Sequence, residues 1–249
     1  ADEKHTALAR AQGSEMLGPL HGEHETVWNI RSRSKEQRMA FELLMDPDIQ
    51  LVTLVGQAGT GKTLLALAAA LECVLTLKRY DRILVSRPII PMGKDLGYMP
   101  GDKDEKLAHW MQPIFDNLTY LMADGPRRKE HETDVSAKQK VDKLLQGHVV
   151  ELEALTYIRG RSIPRQFVIV DEAQNLTPHE VKTIISRAGE GTKMVLTGDP
   201  DQIDNPYLDS SSNGLSYAVE RLKGQSIHGH ITLLKSERSE LAAVAADFL

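Results

Sequence analysis

Residues 51–63 read Leu51-Val52-Thr53-Leu54-Val55-Gly56-Gln57-Ala58-Gly59-Thr60-Gly61-Lys62-Thr63. The apolar run at the start is typical of a buried β-strand, and the residues that follow the stretch favour a helix. The loop between them fits the pattern GxxxxGK[ST], whose glycines let backbone N–H groups turn inward while the helix N-terminus adds its positive dipole end. The stretch therefore predicts a strand, a phosphate-binding loop and a helix, and the alternative is a glycine-rich turn without a ligand.

The loop supplies the first candidate binding residues, which are Gly56, Gln57, Ala58, Gly59, Thr60, Gly61, Lys62 and Thr63. Lys62 is expected to reach the β- and γ-phosphates, and the Thr63 hydroxyl is expected to ligate Mg²⁺. Gln37 lies on the helix predicted before the strand, where its amide could both donate to and accept from an adenine edge. The predicted ligands are therefore ATP and Mg²⁺, although a lone glutamine on a helix is usually a solvated residue.

A second apolar strand ends in acidic residues, in the run Phe167-Val168-Ile169-Val170-Asp171-Glu172-Ala173-Gln174. In a parallel sheet its carboxyl end would lie beside the phosphate loop, so Asp171 is predicted to hold the hydration shell of the Mg²⁺ bound by Thr63. Glu172 is then placed to orient or deprotonate an attacking water, which favours hydrolysis over transfer to an acceptor. The alternative is a solvated strand end.

Two further residues are candidates to contact the γ-phosphate. Gln202 follows the next apolar strand and is the predicted sensor of that phosphate, although Gly198-Asp199-Pro200 taken alone would be an ordinary turn. Arg238 follows the last predicted strand, and its planar guanidinium could brace transition-state charge. Three other arginines compete for this role, namely Arg87, Arg159 and Arg161.

The rest of the chain repeats the alternation of strands and helices. Apolar runs typical of strands covered on both faces lie at residues 51–55, 82–86, 167–170, 194–197 and 231–234. Helices are predicted over residues 35–45, 62–78, 103–121, 136–146, 178–188, 214–222 and 239–248. Thr177, Pro178 and Glu180 fit a capping box with proline at the first helical position. The pattern predicts an α/β fold, a doubly wound and mainly parallel sheet with helices on both faces.

Composition narrows the class of protein. The 249 residues are 41% hydrophobic and 26% charged, which is enough for a substantial core. A single cysteine, Cys73, excludes an internal disulfide and reads as a small buried hydrophobe. No apolar run approaches the roughly 20 residues that a membrane span needs, so we expect no membrane partner and a cytoplasmic location. Residues 1–26 are predicted to be a linker-like segment and residues 27–249 one domain. The formal charge of −5 does not decide whether the partner is a nucleic acid.

Several runs together resemble the PhoH family of ATPases, and the pairing of residues 171–174 with 198–202 is similar to superfamily 1 helicases. The PhoH-like runs are Ser86-Arg87-Pro88, Gly93 through Gly101, Arg159-Gly160-Arg161 and Asp171 through Asn175. The resemblance implies a RecA-like P-loop NTPase acting with RNA, fused in some members behind a PIN ribonuclease domain. Only one phosphate loop and one acidic strand are recognisable, so it also implies a homo-oligomer, in a ring, whose neighbour supplies an arginine.

The segment 86–102 is the first candidate for RNA contact, through Arg87, Lys94 and Tyr98, because cations and backbone amides bind phosphates while an aromatic ring stacks on a base. Three functions stay open at this point. The first is an ATPase that moves on or unwinds RNA, the second is a nucleotide-dependent switch or scaffold that gates a partner, and the third is a small-molecule kinase, which Glu172 disfavours.

Overall fold

The computed structural model describes residues 9–12, 16–19, 24–88, 110–123, 134–155 and 162–235. The strands in these ranges are β1 (Ala9–Gln12), β2 (Met16–Pro19), β3 (Thr26–Val27), β4 (Ile30–Arg31), β5 (Leu51–Gly56), β6 (Arg82–Arg87), β7 (Val150–Ala154), β8 (Gln166–Val170), β9 (Lys193–Gly198) and β10 (His228–Leu233). The helices are α1 (Lys35–Met45), α2 (Lys62–Leu71), α3 (Gln112–Met122), α4 (Asp134–Gln146), α5 (Pro178–Ile185) and α6 (Gly214–Arg221).

Six strands form one parallel sheet in the order β10-β5-β9-β8-β6-β7. The central strands are buried along almost their whole length, because helices cover both faces of the sheet. All five predicted strands are present. β7 was not predicted, because Glu151 and Glu153 interrupt its apolar pattern; as an edge strand it can carry such residues.

Two hydrophobic clusters lie on opposite faces of the sheet. One cluster contains buried residues of α1, α2, α3 and α4, and the other contains buried residues of α5 and α6. Neighbouring strand residues divide between the clusters: Val52 and Leu54 belong to the first, and Leu51 belongs to the second. The predicted α/β class with helices on both faces is therefore confirmed.

Helix ends follow the local sequence closely. Helix α1 spans the predicted residues, with the Ser34 hydroxyl accepting from the Gln37 N–H at its start. The predicted capping box is present at α5, where Thr177 and Glu180 each accept from the other's backbone N–H. The helix predicted over residues 62–78 divides into α2 and a π-helical turn, Glu72–Thr76. The helix predicted over 103–121 is described from residue 110 onward, and the one predicted over 239–248 lies outside the described residues.

Two small hairpins precede the sheet in the chain. β1 pairs with β2 within the segment predicted as linker-like, and β3 pairs with β4 just before α1. The turn between β3 and β4 has positive φ at Trp28 and Asn29, 46° and 61°, which suits a two-residue hairpin loop. Among the helices that the structure describes, none has the length and apolar character that crossing a bilayer requires.

Candidate functional site

The glycine-rich loop leaves the end of β5 and enters α2 at Lys62. Gly59 and Gly61 have φ values of 85° and 90°, in the left-handed region that favours glycine. At Gly56 a Cβ atom would lie 2.4 Å from the Leu233 carbonyl oxygen on β10, so the loop begins where two strands approach closely. The sequence therefore folds here into the predicted strand, loop and helix, with backbone N–H groups at the helix N-terminus free of a side-chain cap.

The loop contacts an acidic side chain from the neighbouring strand. The Ala58 N–H donates to Asp199 Oδ2 at 3.1 Å, and the Asp199 side chain is almost fully buried at the end of β9. The Lys62 ammonium donates to the carbonyl oxygens of Gly56 and Gln57, the latter at 3.0 Å. A loop amide that binds a carboxylate oxygen, beside a lysine that lies over the loop, has the donor chemistry that binds phosphate.

The residues predicted to hold Mg²⁺ lie in direct contact. The Thr63 hydroxyl donates to Asp171 Oδ1 at 2.7 Å, although the two residues are 108 positions apart in the chain. The Thr197 hydroxyl, on β9, donates to the same oxygen at 2.6 Å. A hydroxyl and a carboxylate are hard oxygen ligands of the kind Mg²⁺ takes in nucleotide sites, so these residues fit the ion. In the described ranges no group of three or more His, Cys, Asp or Glu side chains could hold a metal ion.

Glu172 is held in an unusual backbone conformation beside the metal residues. Its φ is 57°, in the left-handed region, which is uncommon for a residue other than glycine and clusters at functional sites. Partial burial, and next the charge of Asp171, raise the pKa of its carboxyl above the ordinary value, while Gln174, Arg87 and Lys62 oppose that rise. A strained carboxylate with a raised pKa has the properties of a general base.

Gln174 connects the ends of β8 and β9. Its Nε2 donates to Glu172 Oε2 at 2.6 Å and to the Gln202 carbonyl at 2.9 Å, and its Oε1 accepts from the Asp199 N–H at 3.1 Å. The side chain is fully buried, whereas Gln202, the predicted sensor, is exposed and contributes its backbone carbonyl. Gln174, to which the sequence interpretation gave no role, therefore bridges the two strand ends, while Gln202 contributes its backbone carbonyl to that bridge.

Gln37 lies between the β3–β4 hairpin and the loop. Its Nε2 donates to the Thr60 carbonyl at 3.2 Å, and its Oε1 accepts from the Arg33 N–H at 2.8 Å. The amide of Gln37 therefore bonds backbone groups on both sides, and these bonds stabilise the conformation of the loop. Gln37 also lines a cavity of about 600 Å³ together with loop, hairpin and helix residues, among them Asn29, Arg31, Gly59, Gly61 and Tyr120.

Arg87 ends β6 and faces the carboxylates. Its guanidinium lies 3.3 Å from Asp171 and 3.4 Å from Glu172, with only 14% of the side chain exposed. It was predicted as a nucleic-acid contact, but these partners turn it inward. The other predicted contacts, Lys94 and Tyr98, and the predicted arginine Arg238 with its competitors Arg159 and Arg161, lie outside the described residues.

Four residues of the site had no assigned role in the sequence interpretation, or a different one: Arg87, Gln174, Thr197 and Asp199. Gln174 and Asp199 lie inside the acidic-strand and turn motifs, so the motifs themselves were the available signal. Thr197 was hidden in an apolar strand, where a threonine is indistinguishable from a packing residue. The arrangement as a whole is that of a P-loop NTPase.

The chain is similar in sequence to named protein families and relatives. A family model described as PhoH-like protein matches residues 29–247. Protein PhoH2 of Bacillus subtilis is 57% identical over 94% of this chain and 51% of its own length. Protein PhoH2 of Mycolicibacterium smegmatis is 39% identical over 98% of this chain and 52% of its own length. This chain thus spans about half the length of these relatives.

Solved structures include a distant match. The Pif1 helicase of Candida albicans superposes with a TM-score of 0.41 and 15% identity, over 88% of this chain and 43% of its own.

Proposed function

The chain belongs to the PhoH family, and from that premise and the geometry of its site we propose that it is a Mg²⁺-dependent ATPase. The observation that carries the proposal is the contact between Thr63 and Asp171 at 2.7 Å, with Glu172 next in the chain. Thr63 and Asp171 would supply two oxygen ligands for the ion beside the phosphate loop, and Glu172 is a carboxylate that does not ligate the ion. A residue set of this kind is suited to phosphoanhydride hydrolysis.

Each residue then has a separate task. The loop amides and Lys62 bind the phosphate oxygens, while Thr63 and Asp171 would hold the ion. The ion, when bound, neutralises charge on the phosphates. Glu172 orients a water molecule in line with the γ-phosphate and accepts its proton, for which the raised pKa of its carboxyl is suited.

The cavity beside the loop accommodates the nucleoside part of the substrate. Its volume of about 600 Å³ lies within the range of ligand sites, and Gln37, Gly59 and Gly61 link it directly to the phosphate loop. Tyr120 supplies an aromatic surface and Arg31 and Asn29 supply polar groups. Because the Gln37 amide is bonded to the backbone on both sides, its support of the loop conformation is the contribution we propose first.

Gln174 is the proposed link between hydrolysis and movement. It holds Glu172 on one side and both the Asp199 N–H and the Gln202 carbonyl on the other. When the γ-phosphate leaves, the charge facing Glu172 changes. The Gln174 side chain would transmit that change to the turn after β9 through its hydrogen bonds. The side-chain amide of Gln202, which is exposed, remains available to an incoming phosphate or partner.

RNA is the proposed partner of this ATPase, with translocation or unwinding as the use of its energy. Support comes from the similarity of residues 171–174 and 198–202 to superfamily 1 helicases. Because one phosphate loop accounts for a single RecA-like lobe, we also propose a ring-forming homo-oligomer in which a neighbouring subunit completes the site with an arginine. A PIN-type ribonuclease domain is the proposed covalent partner, and the cytoplasm the proposed location, both supported by resemblance and composition.

Two substitutions test the ATPase directly, with phosphate release and binding of a fluorescent ATP analogue as readouts. Lys62→Ala should abolish turnover and weaken binding, whereas Glu172→Gln should lower turnover by on the order of 10²–10⁴-fold and leave binding intact. Lys223→Ala and Glu190→Gln are the matched controls, because both residues are exposed and precede β10 and β9, at the edge of the sheet opposite the loop. Unchanged turnover in the Glu172 variant would remove that residue as the base.

A nucleotide-dependent switch that hydrolyses slowly is the second candidate. It is favoured by the two contacts that restrain Glu172, one from Gln174 and one from Arg87. Single-stranded RNA should accelerate ATP turnover if the protein is a motor and leave it unchanged if it is a switch. Single-stranded DNA of the same sequence and the mass of the particle in solution complete the experiment.

A further inference from the structure

Arg87 lies level with the two catalytic carboxylates because of the strand register. Ser86 on β6 pairs with Val170 on β8, and the Asp171 N–H donates to the Ser86 carbonyl at 2.9 Å. The next residue on β6 is Arg87, which therefore stands opposite the acidic pair. Its side chain is 14% exposed, so it occupies the site interior.

Both carboxylates and a third group restrain its guanidinium. Nε lies 3.3 Å from Asp171 Oδ2, at ion-pair distance but without hydrogen-bond alignment, and Nη2 lies 3.4 Å from Glu172 Oε1. Nη1 donates to the Trp110 carbonyl at 3.1 Å, and the guanidinium carbon lies 5.7 Å from the centre of the Trp110 ring. Each terminal nitrogen thus has its own partner, which fixes the plane of the group.

Glu172 is consequently held at both oxygens. Gln174 donates to Oε2 at 2.6 Å and Arg87 faces Oε1 at 3.4 Å. The positive φ of Glu172 needs such restraint, because a left-handed conformation persists only where surrounding contacts impose it. Without Arg87 the carboxylate could rotate about the single remaining contact, and Asp171 would repel it.

We propose that Arg87 is a positioning residue that fixes the Glu172 carboxylate for activation of the attacking water, and that Trp110 in turn holds Arg87. The inference rests on the proposed ATPase function and adds a residue that the phosphate-loop and acidic-strand motifs do not contain. It differs from a role as an arginine that touches the γ-phosphate, because all three guanidinium nitrogens face groups of the protein.

The kinetic test separates these roles by what each changes. Arg87→Ala should lower kcat about 100-fold, the effect of displacing a reacting group by about 1 Å, while KM and the affinity for a fluorescent ATP analogue stay within about twofold. Arg87→Lys should recover part of the loss, because one ammonium can face one carboxylate but not three partners. Trp110→Ala should lower kcat by a smaller factor than Arg87→Ala, since the Trp110 backbone carbonyl that accepts from Arg87 remains.

Arg82 provides the matched control. It begins the same strand, pairs with Glu151 at 2.6 Å and lies away from the loop. Arg82→Ala removes an arginine and an ion pair from β6 and should leave kcat unchanged. If Arg82→Ala and Arg87→Ala lower kcat equally, the effect is one of strand stability and the proposal is overturned.

A double-variant experiment identifies the group through which Arg87 acts. In a Glu172→Gln background the Arg87→Ala change should lower kcat no further, because the group that it positions is gone. A full 100-fold further loss would mean that Arg87 acts through Asp171 or the nucleotide rather than through Glu172, and a rise in KM with kcat unchanged would mean that it contacts the nucleotide; either result would overturn the proposal. The wild type, the two single variants and the double variant should also be unfolded in urea. The midpoint shifts of the single variants should not add up to that of the double variant, and this difference reports the Arg87–Glu172 contact independently of turnover. A wild-type protein without ATPase activity but with that difference would overturn the proposed function, and additive midpoints would overturn the contact itself.

Discussion

Replacing Thr197 by valine removes one hydroxyl from the centre of the site while keeping the side chain's shape. Thr197 is fully buried on β9, and its hydroxyl donates at 2.6 Å to the Asp171 oxygen that also accepts from Thr63. Asp171 is only 3% exposed, so water cannot replace the lost donor. The variant therefore isolates a single hydrogen bond to a buried carboxylate.

The expected cost follows from the charge of the acceptor. A hydrogen bond to a charged group contributes about 1.5–3 kcal/mol, so Thr197→Val should lower the free energy of unfolding by about 2 kcal/mol. With a urea dependence of roughly 2–3 kcal/mol per molar, the unfolding midpoint should fall by about 1 M. In an Asp171→Asn background the same change should cost less, because the acceptor is neutral.

Thr53→Val is the control for this prediction. Thr53 is also fully buried, on the neighbouring strand β5, but its hydroxyl contacts the rings of His228 and His230 rather than a carboxylate. It should cost about 1 kcal/mol. If Thr197→Val costs no more than Thr53→Val, or the same in both Asp171 backgrounds, the assigned hydrogen bond does not restrain Asp171. ATP turnover should also fall in Thr197→Val, whereas it should be unchanged in Thr53→Val.

Three further predictions concern stability and the turn after β9. Lys193→Met should lower the free energy of unfolding by about 3 kcal/mol in urea titration, because the buried ammonium donates to the carbonyls of Leu43, Asp46 and Ile49, at the end of α1 and in its connection to β5. No change would contradict this role. Gly198→Ala should reduce ATP turnover and cost about 1–3 kcal/mol, since its Cβ would lie 2.3 Å from Gln174 Oε1; wild-type turnover would mean that the Gln174 bridge is dispensable. Burial lowers the pKa of His228 and His230, so the unfolded chain binds more protons than the folded one and thermal stability should fall as pH drops below about 6.5. Replacing both histidines by Gln should flatten this dependence of the melting temperature on pH. An unchanged dependence would mean that other groups cause it.

The regular elements were predictable because their signals are local. The run at 51–63 predicted strand, loop and helix, and the structure has β5 ending at Gly56 and α2 beginning at Lys62. The Thr177 and Glu180 capping box likewise depends on residues three apart. β7 was missed because an edge strand does not need a continuous apolar pattern, and the π-helical turn after α2 has no distinct composition.

The candidate site was predictable to the level of its motifs. Thr63 and Asp171 were expected to meet because parallel strands end at one edge of a sheet, and they do so at 2.7 Å. The sequence predicted Gln202 as the γ-phosphate sensor and gave Gln174 no role, because a pattern of apolar strands does not show which amide faces Glu172. That depends on backbone direction in the turn after β9, where the Gln202 N–H donates to the Asp199 carbonyl at 3.0 Å.

The sequence by itself determined the phosphate loop, the acidic strand end and the layered α/β fold, because glycine spacing, apolar runs and capping residues act over a few neighbouring positions. Only the tertiary structure decided which side chains surround the carboxylates. Arg87 is 84 and 85 positions from Asp171 and Glu172 in the chain, and the pairing of β6 with β8 brings it beside them. Such a contact has no local pattern, since it arises from strand order and register, which are fixed when the sheet is assembled.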